Sequence, residues 1–301
     1  MCTFRVRRSV QSKTASFVVI AFALFLGTAL TPSFGAETKP FVIFNSINYV
    51  GTPDLSKYGL RPIKVIYEAD LDDPPSLFSS ARRYSTKKIS VAAQAAAQRK
   101  NGIVILDMET WGWNPGAMRK YAEAVREFKR DDPNSKVGMF GVMPTNIALP
   151  YTAYSKNRPE LLKTWEKLQP IADPVVRAVD VLAPEVYTMG DDMKAWDKEA
   201  RLIVQRARQA APGRPVYVFI WPQYLSPHAG CKGGSKAAQF IPASAWRNEL
   251  ETLYTIADGA ILWSPRWACS PDSDVTDYPK FNEQMPWFKE TLAFMRAHGL
   301  H

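Results

Sequence analysis

Histidine and cysteine are scarce in this 301-residue chain, which contains three of each. Two of the histidines, His298 and His301, lie at the C-terminal end, and no group of His, Cys and carboxylate residues has the spacing of metal ligands. A G-x-S-x-G elbow and a P-loop are missing, and no catalytic dyad surrounds a cysteine. These absences argue against metal, serine-nucleophile and nucleotide chemistry, and we predict no cofactor.

The N-terminus has the pattern of a secretory signal. Several basic residues precede an apolar stretch from Ala15 to Leu30, and small residues follow as far as Ala36. We predict that residues 1–36 are removed, that the protein is secreted or periplasmic, and that no stable membrane insertion remains after cleavage. The alternative is an uncleaved anchor, because the stretch is close to the length that spans a bilayer.

Few charges of one sign are clustered after residue 36. Removal of residues 1–36 leaves 34 basic against 29 acidic residues, a net charge of +5 without a dense Lys/Arg run. The clustered positive charge that nucleic-acid-binding proteins present is therefore absent, and we predict that nucleic acid is not a partner. A mildly basic chain suits an anionic glycan without requiring one.

Two cysteines, Cys231 and Cys269, follow the predicted cleavage point. An even pair in an oxidising compartment predicts one disulfide, and the alternative is two unpaired thiols in separate loops. Cys231 lies in the segment "SPHAGCKGGSK" together with His228, which we interpret as a surface-loop residue. Lys232 and Lys236 of the same segment are interpreted as solvated, although they could meet an anionic substrate.

Seven short apolar runs alternate with helical patterns. The runs predicted as strands cover residues 41–50, 63–69, 102–109, 137–144, 180–189, 215–224 and 258–265, and the clearest helical patterns cover 114–130, 191–213, 242–259 and 283–299. Continuous apolar strands separated by helices are typical of parallel βα units. We predict an α/β fold, a (β/α) TIM-type barrel that is distorted and has seven to eight strands, as a single domain over residues 37–301. An open doubly wound sheet is the alternative, but no Gly-rich turn follows the first strand.

The segment "GIVILDMETWGWNP" ends an apolar strand with two carboxylates. Asp107 and Glu109 are two residues apart, so both point to the same side, and Trp111 and Trp113 follow them. In such a barrel, strand ends carry the functional groups, and a partly dry position would raise the pKa of the glutamate. A protonated and an ionised carboxyl together are the acid and stabiliser of a glycosidase. The alternative is that the two carboxylates cap a helix or pair with an arginine.

Other strand ends bring aromatic and polar groups to the same rim. They are Asn45, Tyr187, Trp221, Tyr224 and Trp263. We predict that these residues and Trp111 contact a polysaccharide substrate.

Five segments are similar to the hyaluronidase family of glycoside hydrolases. "KPFVIFN" resembles the first strand of that family with Phe44 in place of a Trp, and "ILDMETW" resembles its Asp-Trp-Glu-x-Trp strand with Met108 as the departure. "LAPEVY" resembles Leu-Tyr-Pro-Ser-Ile-Tyr, and "GAILW" resembles the last strand. In "PVYVFIWPQY", Trp221 stands where many animal members have Arg.

The resemblance implies a retaining, substrate-assisted mechanism on an N-acetylhexosamine-containing, hyaluronan-like polysaccharide. Glu109 would be the general acid, and the acetamido carbonyl of the substrate would be the nucleophile. Asp107 and Tyr187 would hold the acetamido group, and Trp263 would pack against it. The departures put hyaluronan itself in doubt and leave the glycan open.

Two other functions remain open from the sequence. One is a conventional retaining glycosidase or muramidase, and chitinase-like barrels share the strand that ends in a glutamate. The other is an exported glycan-binding barrel without turnover, although such proteins typically lose the acid.

Overall fold

The computed structural model describes residues 40–73, 83–98, 102–142, 148–225, 238–269 and 276–301. The predicted signal, the cleavage point and Cys231 lie outside the described residues, so the domain boundary and the disulfide stay predictions. Within the described ranges, no helix combines the length and the apolar character needed to cross a bilayer.

The strands are short and numbered in chain order. They are β1 Val42–Ser46, β2 Arg61–Pro62, β3 Lys64–Tyr67, β4 Asp72–Asp73, β5 Arg83–Tyr84, β6 Ile103–Asp107, β7 Lys136–Met139, β8 Tyr217–Ile220, β9 Gly259–Trp263, β10 Ala268–Cys269 and β11 Thr276–Asp277.

The helices follow most of these strands. They are α1 Thr86–Ala97, α2 Pro115–Asp131, α3 Ala148–Ser155, α4 Glu160–Leu168, α5 Asp173–Ala178, α6 Met193–Ala210, α7 Ala243–Ile256 and α8 Pro286–Ala297. The four helical patterns predicted from the sequence correspond to α2, α6, α7 and α8. Short 3-10 turns cover Leu55–Tyr58, Glu68–Asp70 and Gln169–Ala172.

The long strands are parallel, as predicted, and they form two sheets. One has the order β2-β1-β9-β8 and the other the order β3-β6-β7. The chain therefore has a mixed α/β fold with parallel sheets. Gly259 at the start of β9 permits its close approach to β1, because a Cβ there would lie 2.3 Å from the carbonyl oxygen of Val42.

Residues 180–189, predicted as a strand, make isolated parallel bridges instead. Ala183 pairs with Phe140 after β7, and Leu182 and Glu185 pair with Val216 and Phe219 of the β8 region. Pro184 has no N–H to donate, which interrupts the ladder in the middle of this segment. The bridges nevertheless place residues 182–187 between β7 and β8.

Side-chain caps fix the starts of two of the helices. The side-chain oxygen of Asn114 accepts from the N–H groups of Gly116 and Ala117, both at 3.0 Å, directly before Pro115 begins α2. Asp192 accepts from the N–H of Ala195 at 3.0 Å at the start of α6. Each cap contributes about 1 kcal/mol to helix stability.

Buried tryptophans hold the helices against the strands and against one another. The indole N–H of Trp196 on α6 donates to the carbonyl of Val186 at 2.8 Å, and that of Trp246 on α7 donates to the hydroxyl of Thr291 on α8 at 2.9 Å. Both indoles are almost fully buried, so their polar edges need these acceptors.

Aspartates fasten neighbouring strands at their N-terminal ends. Asp180 accepts from the N–H of Val137 at 3.0 Å, and Asp258 accepts from the N–H of Val216 at 2.8 Å. Each is also paired with a basic residue on a helix, Asp180 with Lys129 at 2.7 Å and Asp258 with Arg208 at 3.0 Å. These contacts fix the strand register at one end and leave the other end free to build a site.

Candidate active site

Asp107 and Glu109 lie at the carboxyl end of β6, as the sequence pattern predicted. Asp107 is the last residue of the strand, pairs in register with Tyr67 of β3 and is 9% exposed. Glu109 follows in the loop and is more exposed. The two carboxyl groups are hydrogen-bonded to each other, which requires a proton on one of them.

Both carboxyl groups hold a proton more tightly than usual. Burial, followed by the charge and hydrogen bond of Glu109, raises the pKa of Asp107 to about 8. Burial raises the pKa of Glu109, the hydrogen bond to Asp107 lowers it by a smaller amount, and the charge of Glu68 adds a further, lesser rise. Because the groups titrate as a pair, one proton is shared between them at neutral pH.

Glu68, which the sequence analysis missed, holds the loop that carries Glu109. Its Oε2 accepts from the N–H groups of Glu109 and Thr110 at 3.0 and 2.9 Å, and its Oε1 accepts from the Thr110 hydroxyl. Glu68 directly follows β3, so a carboxylate just after a strand was the available signal. Its position fixes the backbone of the acid and adds negative charge beside it.

Three aromatic residues predicted to bind substrate form one cluster. The ring of Tyr187 lies 5.8 Å from Trp221 and 5.9 Å from Trp263, and the two indoles are 5.4 Å apart. Tyr187 is buried, and the negative charges of Glu185, Asp107 and Glu109 join burial in raising the pKa of its phenol. The cluster, which we call the aromatic wall, therefore stands beside the acid pair.

Hydrogen bonds to residues that were not predicted to belong to the site support the aromatic wall. Trp263 donates its indole N–H to the hydroxyl of Tyr67 at 3.1 Å. The Trp221 indole donates to Oε1 of Gln223 at 2.5 Å, and the same oxygen accepts from the Tyr49 hydroxyl at 2.7 Å. Gln223 is fully buried and donates to the carbonyl of Ala238 at 2.6 Å, so it fixes the Trp221 indole from behind.

A third carboxyl, that of Glu185, also lies at the acid pair. It precedes Tyr187 by two residues, is partly exposed, and has a pKa raised to about 8 by burial and by the charge of Glu109. Gly141, whose φ of 60° turns the chain after β7, lies next to this group, and a Cβ there would be in ordinary contact with Oε1 of Glu185 at 3.5 Å. The signal was present in "LAPEVY", where Glu185 occupies the serine position of the family pattern.

Three other residues predicted to contact substrate, Trp111, Asn45 and Tyr224, make contacts of their own outside the aromatic wall. Trp111 stacks on Tyr121 of α2 with ring centroids 5.2 Å apart and interplanar angle 10°, and Tyr84 lies 6.4 Å away on a similar plane. Its indole therefore anchors the loop after β6 to the helix that follows. The stacking depends on loop geometry that the sequence pattern does not contain.

Asn45 and Tyr224 are not part of the aromatic wall. Asn45 accepts from the N–H of Ile47 at 3.1 Å, and it alternates along β1 with Phe44, whose ring packs 5.0 Å from that of Tyr217. Tyr224 is buried, and its hydroxyl donates to Asp191. Cys269 lies in β10, and Cys231, its predicted partner, is outside the described residues.

A separate groove of about 510 Å³ runs between β3 and α1, away from these residues. Its lining includes Lys64, Asp70, Lys88 and Val91, with no aromatic side chain among the described lining residues. Among the described residues, no three His, Cys, Asp or Glu side chains are grouped so as to hold a metal ion. The acid pair beside the aromatic wall is therefore the stronger candidate for an active site.

Comparison with known proteins agrees with the fold. No protein-family model matches the chain, and no curated protein matches its sequence. The structure of bee venom hyaluronidase is similar with a TM-score of 0.54 and 14% identity, over 75% of this chain and 91% of the other. The same enzyme in complex with a hyaluronic acid tetramer is similar with a TM-score of 0.52 and 14% identity, over 75% and 90%. The distant resemblance to hyaluronidases predicted from the sequence is confirmed at the level of the fold.

Proposed function

We propose that the protein is an exported retaining glycosidase that cleaves an N-acetylhexosamine-containing polysaccharide with the substrate's acetamido group as nucleophile. The observation that carries this proposal is the hydrogen-bonded pair of Asp107 and Glu109, whose pKa values are both raised, beside the aromatic wall. A proton held at neutral pH serves a general acid, and a flat apolar surface is one on which a sugar ring can pack.

The strand pairings support a ring around this site. Residues 61–67 pair with β1 through β2 and with β6 through β3, and the bridges of residues 182–187 connect β7 to β8. We infer a distorted seven-stranded barrel from this order, with the acid pair at the carboxyl ends of its strands, where enzymes of this architecture hold their active sites.

The exposure of the two acids supports their different roles. Glu109 is the more exposed, so its O–H is placed to reach a glycosidic oxygen, whereas Asp107 is buried. In the first step, Glu109 gives its proton to that oxygen while the C1–O bond breaks. The acetamido carbonyl oxygen forms a bond to C1, and Asp107 accepts the acetamido N–H and stabilises the cation.

In the second step, water attacks C1 and the oxazolinium ring opens. Glu109 takes the proton of the water, and the product retains its anomeric configuration. Tyr187 supports this chemistry, because its hydroxyl lies near both acids and is a donor for the acetamido group. Trp263, packed against Tyr187, would line the pocket of the acetamido methyl.

The test is a reducing-end assay on hyaluronan, chondroitin, chitin oligomers and peptidoglycan, with a thiazoline analogue of the oxazolinium as inhibitor. We expect cleavage of at least one glycan, inhibition by the thiazoline, and a loss of kcat of about 100-fold or more in E109Q with binding retained. E123Q, at an exposed site on α2, is the matched control. Cleavage without thiazoline inhibition would indicate a conventional nucleophile, and binding without cleavage in wild type would indicate a glycan-binding protein.

A further inference from the structure

Gln223 lies three residues after β8 and uses all of its hydrogen-bonding positions. Its Oε1 accepts from the indole N–H of Trp221 at 2.5 Å and from the hydroxyl of Tyr49 at 2.7 Å. Its Nε2 donates to the carbonyl oxygens of Ala238 at 2.6 Å and of Trp267 at 3.4 Å. A glutamine amide has two donor and two acceptor positions, so this buried side chain has none left for a ligand.

The chemistry of these neighbours fixes which way the amide faces. An indole N–H can only donate and a backbone carbonyl can only accept, so Oε1 has to face Trp221 and Nε2 has to face the two carbonyls. Turning the amide over would set donor against donor and leave buried groups unsatisfied, which costs free energy. The N–H of Trp221 is therefore directed at Gln223, and the plane of the indole is set from within the protein.

The four partners of this amide belong to separate parts of the chain. Tyr49 follows β1, Trp221 follows β8 and Trp267 follows β9. Ala238, whose carbonyl is the nearer acceptor of Nε2, has a φ of 58°. This left-handed conformation is unfavourable for a residue that has a Cβ, and it persists only where surrounding contacts hold it. One side chain thus joins the ends of three strands to a strained position of the backbone.

Trp221 is itself only 4% exposed, so it acts on a ligand through the rings that it supports. Its indole contacts Trp263 at 5.4 Å with an interplanar angle of 82°, and Tyr187 at 5.8 Å with an angle of 79°. Edge-to-face pairs of this kind have a preferred geometry, so a turn of one ring displaces its neighbour. Trp263 is the partly exposed member of the aromatic wall and offers its surface to a sugar.

The segment that carries Tyr187 has backbone support of its own. The N–H of Val186 donates to the carbonyl of Phe219 at 3.0 Å, and the carbonyl of Val186 accepts from the indole of Trp196 at 2.8 Å. A displaced Trp221 should therefore affect sugar binding more than the chemistry near Tyr187.

We infer that Gln223 is a positioning residue for glycan binding: it fixes the Trp221 indole, which in turn fixes the plane of Trp263 against which a sugar ring packs. The inference rests on the proposed function. Gln223 acts on affinity without touching the substrate, because its polar atoms are all engaged within the protein. Its bonds to the carbonyls of Ala238 and Trp267 keep the amide from turning.

The experiment measures KM and kcat of wild type, Q223M, W221F and the double variant on the glycan that is cleaved best. Methionine has a similar length but no amide, so Q223M releases the indole of Trp221. We expect KM to rise about tenfold in Q223M, with kcat within about twofold of wild type. W221F keeps an aromatic ring and lacks the N–H that Gln223 holds, so adding Q223M to it should raise KM no more than about twofold further.

Q169M is the matched control. Gln169 is also fully buried, and its Nε2 donates to the carbonyl of Trp165 at 2.8 Å in the turn after α4. Its replacement removes a buried amide of the same kind, so we expect Q169M to lower the unfolding midpoint and to keep the wild-type KM. A Q169M variant that raises KM as much as Q223M does would overturn the inference.

The indole N–H resonance of Trp221, assigned by its loss in W221F, gives a readout that needs no turnover. We expect it to exchange slowly with water in wild type, because the group is buried and hydrogen-bonded. In Q223M, we expect it to move upfield and to exchange faster.

An unchanged KM in Q223M, or a fall of kcat at constant KM, would overturn the inference. An equal rise of KM when Q223M is added to W221F would also overturn it, since Gln223 would then act through the backbone and not through Trp221. If Q223M does not fold, a wild-type KM in W221F, or a wild-type Trp221 indole that exchanges as fast as a free one, would overturn it.

If wild type cleaves no glycan, the proposed function fails. The resonance of Trp221 then judges the positioning role alone: an unchanged signal in Q223M would overturn that role, and the expected upfield shift would support it.

Discussion

The indole N–H of Trp263 donates to the hydroxyl of Tyr67 at 3.1 Å and so connects the end of β9 to the end of β3. Tyr67 also pairs in register with Asp107, and Asn48 donates to its hydroxyl at 3.4 Å. One tyrosine therefore links the aromatic wall to the strand of the acid pair. Its hydroxyl fixes the plane of Trp263 beside Tyr187.

Substitution Y67F removes this acceptor and keeps the ring. The lost hydrogen bond contributes about 0.5–1.5 kcal/mol, so we expect kcat/KM to fall about two- to tenfold, with most of the change in KM because Trp263 loses its fixed orientation. Steady-state kinetics on the best glycan measure the effect. Y278F, at a tyrosine that is 61% exposed, is the control and should be neutral. An unchanged KM in Y67F would show that Trp263 needs no such support.

The pH dependence of activity should follow the shared proton of the acid pair. Because the pKa of Asp107 is raised to about 8 and that of Glu109 is also raised, the pair keeps its proton through neutral pH. We expect kcat/KM to stay high at pH 7 and to fall above about pH 8, as the last proton is lost. A pH–rate profile from pH 4 to 10 measures this. A fall that begins near pH 5 would contradict the raised pKa values.

Substitution E68Q should move that alkaline fall to lower pH. The charge of Glu68 raises the pKa values of both Asp107 and Glu109, so its removal lowers them. The Gln oxygen can still accept from the N–H groups of Glu109 and Thr110, which preserves the loop. The measurement is the same pH–rate profile, and E123Q should reproduce the wild-type curve. An unmoved or upward-shifted limb in E68Q would show that its charge does not reach the acids.

The sequence was sufficient for the parts of the fold that follow from local periodicity. The parallel strands, the helices α2, α6, α7 and α8, and the position of Asp107 and Glu109 at a strand end all follow from spacing and residue type. Continuous apolar runs specify parallel strands because both of their faces are covered.

Contacts that depend on where a strand stops could not be predicted in this way. The stacking of Trp111 on Tyr121, for example, depends on the path of the loop after β6, and its predicted contact with substrate stays a prediction. Tyr67 is the last residue of β3, and Glu68 is the first residue after it. Tyr67 supports Trp263 and Glu68 holds the loop after β6, and this division depends on where β3 ends. Glu185 was passed over because Pro184 interrupts its segment, so its alternation with Tyr187 becomes visible only in three dimensions.

Glu199 on α6 gives a last prediction, on stability. Its side chain is fully buried, both carboxyl oxygens lack a partner among the described residues, and burial with the charges of Glu185 and Glu249 raises its pKa well above the ordinary value of 4.5. The folded state therefore binds a proton that the unfolded state releases above about pH 4.5, and the free energy of unfolding should decrease as pH rises from 5 to 8. Each pH unit costs up to about 1.4 kcal/mol per such group.

E199Q cannot ionise, so its unfolding midpoint in urea should decline less over this range. E160Q, at an exposed glutamate whose pKa is lowered, should keep the wild-type slope. Parallel curves for wild type and E199Q would mean that Glu199 finds a partner that neutralises its charge.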